Sequence, residues 1–150
     1  MEMHYTNETM AQALRGNAEE IERIHAADVN GWVPLIFDSC DAEALSYVCH
    51  FDMRKEYANP NGVLHGGLIA FILDTSMGHF SCIFADHITP TISMSVNYLR
   101  PIPVDRPIYI RVKLTKSGVN INYLTAEAYC ADDPNRILAT ASGAYSSANK

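Results

Sequence analysis

The sequence predicts an α+β fold: an antiparallel sheet of about six strands wrapped around one long buried helix, with an extra helix at the N-terminus. Three observations carry this. Residues 66–85 hold a single charge, Asp74, and their large apolar side chains recur at three- and four-residue steps, the period of a helix face. Four strand-patterned segments follow at short spacing, and only antiparallel pairing can join them, because parallel neighbours need crossovers of about a dozen residues or more. Before them all, residues 8–29 carry a helical pattern.

Taken in order, the first helix is expected over 8–29. Asn17 and Glu20 have the spacing of a capping pair, Ile21 and Ile24 share a face, and Gly31 is placed to stop the segment. Residues 1–31 thus read as a helical extension of one domain spanning 1–150. "WVPLIFD", 32–38, is a short apolar run, and in "EALSYVCHFDM", 43–53, Leu45, Tyr47, Cys49, Phe51 and Met53 alternate with more polar residues, as in a half-buried strand. "NPNG", 59–62, is a loop signal. In the central helix Ile69, Ile72, Leu73, Met77, Phe80, Ile83 and Phe84 form one stripe, and Leu68 and Phe71 stand on the other sides, so it is expected to be buried nearly all round. The remaining strands are expected at 89–99, 107–116, 119–130 and 137–145. In the first of these Ile92, Met94, Val96 and Tyr98 alternate with Thr91, Ser93, Ser95 and Asn97. Turn sequences separate them: "RPIPVDRP", Ser117-Gly118 and "ADDPNR".

Composition narrows the function. A chain of 150 residues, 48% hydrophobic, can bury one core. A formal charge of -6 with no cluster of Lys or Arg argues against nucleic acid or an anionic membrane as partner. Cys40, Cys49, Cys82 and Cys130 are scattered without a CxxC, and no signal peptide is readable at the start, so reduced thiols and a cytoplasmic location are expected. Residues 66–85 are long enough to span a membrane, but Gly66, Gly67, Asp74, Thr75, Ser76, Gly78, His79 and Ser81 dilute the run and favour a core helix. The six histidines never fall into a zinc spacing, so no metal is expected; His79 reads as a satisfied core or interface residue.

The lone carboxylate is the feature needing explanation. Burying an ionised Asp costs several kcal/mol unless it is paired, and no cation lies within the run. Asp74 either peeks out as a solvated flank or has a chemical role. It shares a helix side with Gly67, Ala70, Gly78 and Ser81, small residues that would let a backbone or ligand approach. At the helix start, "HGG" (65–67) either forms a plain tight loop or offers free N–H groups to a carbonyl that becomes an oxyanion. Gly66 and Asp74 lie eight residues apart, about 12 Å along the axis, so one helix cannot set both against one carbonyl. Two copies with antiparallel helices about a two-fold axis can, which predicts a homodimer with two shared sites.

The string N-x-x-G-x-x-H-G-G formed by Asn59, Gly62, His65, Gly66 and Gly67, the Asp nine residues after the histidine, and "TISMSVNYLRPI" at 91–102 resemble the hotdog-fold acyl-CoA thioesterases of the PaaI type. The resemblance spans most of 33–147 and departs at Pro60-Asn61. It implies a hotdog fold, homodimers that often pair again into homotetramers, and hydrolysis of acyl-CoA thioesters. It also implies roles: Asp74 as general base or nucleophile, the Gly66 N–H as donor to the thioester carbonyl, His65 and Asn59 lining and orienting the site, and Thr91 holding the water. Such chemistry needs no cofactor beyond the coenzyme A of the substrate. Gly67 leaves room for substrate, and Arg100, Lys113 and Lys116, read as ending or edging strands, are either cations for the coenzyme phosphates or ordinary surface charges. Two other readings fit the same scaffold: a non-catalytic acyl-CoA binding module and an enoyl-thioester hydratase or dehydratase.

Overall fold

The computed structural model describes residues 4–148. Its elements are α1 (Asn7–Ile24), α2 (Val29–Trp32), β1 (Ile36–Asp41), β2 (Ser46–Phe51), a 3-10 turn (Lys55–Tyr57), α3 (Gly66–Ala85), β3 (Thr91–Tyr98), β4 (Ile108–Ser117), β5 (Ile121–Tyr129) and β6 (Ala139–Ser146). The strands form one antiparallel sheet in the order β1-β2-β4-β5-β6-β3. This is the hotdog architecture the sequence implies, with β1 and β3 at its edges.

The sheet's alternation decides what α3 meets. Tyr47, Cys49 and Phe51 of β2, Ile108, Ile110, Val112 and Leu114 of β4, and Leu124, Ala126 and Ala128 of β5 are buried on one face, and Ile69, Ile72, Leu73, Met77, Phe80 and Ile83 of α3 join them in the core. Each large side chain fully buried there contributes roughly 1.5–3 kcal/mol. Tyr47 stacks on Phe80 at 4.9 Å between ring centres, and Phe84 meets Phe80 edge-on at 5.1 Å. By length and composition α3 could cross a membrane, but its apolar stripe is spent inside this core.

The first helix starts and stops elsewhere than its pattern predicts. Thr6 caps it and exchanges hydrogen bonds with Thr9, so Asn17 and Glu20 lie mid-helix and cap nothing. It ends at Ile24, and Gly31 lies inside α2, where a Cβ would fall 2.4 Å from the Ala26 carbonyl oxygen. The glycine permits a tight return rather than ending a long helix. Met10 and Leu14 are fully buried in the same core, and the Leu14 carbonyl accepts a hydrogen bond from His79 Nε2 at 3.0 Å, tying α1 to α3. Burial disfavours the charged imidazole and lowers the His79 pKa to about 4, against the opposing pull of that bond. The first strand begins at Ile36, beyond Pro34, which has no N–H to give a ladder. All four cysteines are free thiols; the buried Cys49 thiol donates to Ser76 Oγ at 3.2 Å.

Candidate active site

Asp74 projects from the middle of α3 and is half-buried. Its Oδ1 accepts two hydrogen bonds, from Thr91 Oγ1 at 2.8 Å and from the Tyr145 hydroxyl at 2.9 Å. No donor among the described residues reaches Oδ2, and no cation pairs with the carboxylate. Two neutral hydroxyls therefore satisfy one oxygen and leave the other for what the site binds.

A β-bulge brings Thr91 to that position. Thr91 pairs with Tyr145 across β3 and β6, the next pair is Ser93 with Ala144, and Ile92 is the extra residue between them. The sequence pattern sets Ile92 on the inner face with Met94 and Val96 and leaves Thr91 outside. The bulge reverses this by one step: Thr91 turns to α3, and Ile92 is 55% exposed. A second expectation changes with it. Of the small residues beside Asp74, Gly78 and Ser81 give room to the chain's own sheet. A Cβ on Gly78 would meet Tyr145 Cε1 at 3.5 Å, and Ser81 Oγ accepts from Asn122 Nδ2 at 3.1 Å.

The other end of α3 is open. His65 is its N-cap, and its exposed ring accepts at Nδ1 from the Gly67 amide at 3.0 Å, which places the proton of the neutral ring on Nε2. That bond occupies Gly67. The Gly66 amide has no acceptor among the described residues, so a single N–H of the glycine pair is free to polarise an oxygen. Tyr98 lies against Gly66 and donates to its carbonyl at 3.1 Å. Asn59 organises the preceding loop: its Oδ1 accepts from the Asn61 amide at 2.9 Å, and its carbonyl from Gly62, whose φ of +78° suits glycine.

The chain therefore gathers Asp74 with Thr91, and His65 with Gly66 and Gly67, but leaves the two groups about 12 Å apart along α3, and the bonds of Asn59 stay within its own loop. Of the basic residues, Arg100 gives Nη1 to the Ile137 carbonyl at 2.6 Å. Lys113 lies in mid-β4 rather than at a strand end, opposite Thr125, among the residues that alternate away from the core; Lys116 is exposed beside the β4–β5 turn. None of the three joins either group within one chain. Tyr98 and Tyr145 were not singled out by sequence. For Tyr98 a signal existed in the "NYLRP" segment; for Tyr145, 71 residues from its partner, none did.

Comparison with known proteins decides the family. The model of the thioesterase superfamily matches residues 61–136, which is 76 of the 150 residues and includes the helix and both groups but not Asn59. The chain belongs to the thioesterase superfamily. Among superfamily relatives, acyl-coenzyme A thioesterase THEM4 of Rattus norvegicus is 32% identical over 69 residues, 46% of this chain and 29% of that protein. Acyl-coenzyme A thioesterase 13 of Mus musculus is 24% identical over 82 residues, 53% of this chain and 58% of that one. The matches thus span less than two thirds of either relative's length. The fold is shared with the Escherichia coli PaaI protein from the phenylacetic acid degradation operon, at a TM-score of 0.76 and 14% identity, covering 91% of this chain and 94% of that one.

Proposed function

We propose that the protein hydrolyses acyl-CoA thioesters at two sites shared across a homodimer. The observation that carries this is a carboxylate set in an apolar helix with one oxygen held by two hydroxyls and the other unengaged. In the reaction the thioester carbonyl accepts from the Gly66 N–H. Asp74 either takes a proton from a water that adds to the carbonyl carbon, or adds itself to give an anhydride that water then opens. The carbon–sulfur bond breaks, the coenzyme leaves as thiolate and is protonated, and the acid remains. Thr91 donates to Asp74 and keeps lone pairs that can hold the water.

The sheet edge supports the shared site. β3 presents an unpaired edge, with Ile92 and Tyr98 each more than half exposed. Antiparallel pairing of two such edges, centred on Ser95, sets Ser93 of one copy opposite Asn97 of the other, and the bulge at Ile92 then brings Thr91 opposite Tyr98. Thr91 holds Asp74 and Tyr98 lies on Gly66, so that register carries the carboxylate of one subunit toward the free amide of its mate. The reading needs no metal or cofactor, and a cytoplasmic location suits its free thiols. The test is release of free thiol from a panel of acyl-CoAs by the parent and by Asp74→Asn. Thiol release by the parent and its loss in the variant are expected. A conjugated enoyl-CoA that loses absorbance without releasing thiol would instead identify a hydratase.

A further inference from the structure

The hydrolytic reading gives Asp74 its task, and the sheet opposite contains a residue with no task in it. Tyr145 is fully buried, yet its hydroxyl reaches Asp74 Oδ1 at 2.9 Å and lies 3.4 Å from the Asp74 carbonyl oxygen. Glycines on two elements make room for its ring. A Cβ on Gly143 of β6 would fall 2.7 Å from Tyr145 Cε2 and 3.2 Å from its hydroxyl, and one on Gly78 of α3 would meet Cε1 at 3.5 Å. The β3 bulge then sets Thr91 directly across from Tyr145, so both hydroxyls converge on the same oxygen. A tyrosine that only filled the core would need none of this.

We propose that Tyr145 is a positioning residue for Asp74, resting on the hydrolytic reading above: by holding Oδ1 with Thr91 it fixes the carboxylate rotamer and leaves Oδ2 as the reacting oxygen. A hydrogen bond to a charged acceptor is stronger than one between neutral groups, and it favours the ionised form that a base or nucleophile needs. The phenol is suited to this, because burial first and the Asp74 charge second raise its pKa, so it stays a neutral donor. The groups facing the pair are Thr91 from β3 and, deeper, Tyr47 from β2, whose own ionisation burial opposes; no cation among the described residues competes for the carboxylate.

The test replaces Tyr145 by Phe, which keeps the ring and removes the donor. We expect kcat to fall roughly tenfold with KM changed less than about twofold, as for loss of one hydrogen bond to a charged group. The acid side of the pH–rate profile should move to higher pH, and the carboxyl signal of Asp74, followed by 13C NMR in aspartate-labelled protein, should move the same way. In an Asp74→Asn background the same change should cost nothing further. Fluorotyrosine at 145, a stronger donor of the same shape, should move the titration to lower pH and covers the case in which Phe fails to fold. The inference is overturned if Tyr145→Phe matches the parent in rate and titration while Asp74→Asn is inactive, or if fluorotyrosine leaves the titration unmoved. The hydrolytic reading fails separately, if Asp74→Asn keeps the parental rate; the NMR titration still judges Tyr145 in that case.

Discussion

The two ends of the site on α3 differ in how much of them one chain supplies. Around Asp74 the chain closes on itself, with Thr91 from β3, Tyr145 from β6 and two glycines that let the tyrosine in. Around Gly66 it leaves an amide without an acceptor, an exposed His65 and a half-exposed Tyr98 at a sheet edge. The carboxylate is oriented by its own chain, whereas the free amide has no acceptor among that chain's described residues. A site built this way separates the costs. Orienting the carboxylate is part of folding, and on the proposed reading joining it to the amide is part of assembly.

The sharpest way to break this contrast is to remove each half separately. Asp74→Asn keeps the shape and takes away the base, and should reduce thiol release by roughly 10²- to 10⁴-fold, read by a thiol reagent. Gly66→Pro replaces the amide hydrogen with a ring carbon and so removes the donor. Gly66 is the first residue of α3, where proline is tolerated, and His65 before it is already extended at φ -61° and ψ 133°. Its loss should cost roughly 10²- to 10³-fold, as for one oxyanion donor, with the helix retained by circular dichroism. Mixing the two inactive proteins tests where the halves meet. In a shared-site dimer, subunit exchange rebuilds one intact site per heterodimer, and about a quarter of parental activity should return. If each chain works alone, none returns.

What the sequence disclosed follows the same divide. The α3 boundaries were legible because a twenty-residue apolar run with a three- and four-residue period has one reading, and Asp74 stood out against it. The strand count was legible from turns and alternation. The bulge at Ile92 was not, because a strict period of two has no mark for one extra residue, and so Thr91 appeared to face away from the residue it touches. Tyr145 was invisible since its contact spans 71 positions and reads locally as an ordinary end of strand. Gly78 and Ser81 were legible as room on α3, but not as room for Tyr145 and Asn122. Local period reports which face is apolar; it does not report which polar atoms meet across the core.

Farther along α3 the closed side should also set acid stability. His79 ordinarily titrates near 6.5 but is held to about 4 in the fold by burial, so between those values the unfolded chain binds the extra proton. Stability is therefore intact above about pH 6.5 and is lost progressively as pH falls from there to about 4, by about 3 kcal/mol in all. His79→Gln, which does not titrate there, should flatten that part of the curve of melting temperature against pH. Acid loss unchanged in the variant would mean that other groups set it.

The smallest expected effect concerns the open end, and it separates the two tasks of His65. As N-cap its Nδ1 takes the Gly67 amide, and the rest of the ring is exposed. His65→Ala should lose about 1 kcal/mol of stability, the usual cost of a missing cap, and lower the melting temperature by about 2–4 °C. His65→Asn supplies another cap acceptor and should recover that stability. If thiol release recovers with it, the residue serves by shaping the helix start that presents Gly66. If stability returns and kcat/KM does not, the ring itself contacts the substrate. The acid side of the pH–rate profile should move in neither variant, because the Asp74 cluster lies about 12 Å along the helix, held by side chains that neither change touches.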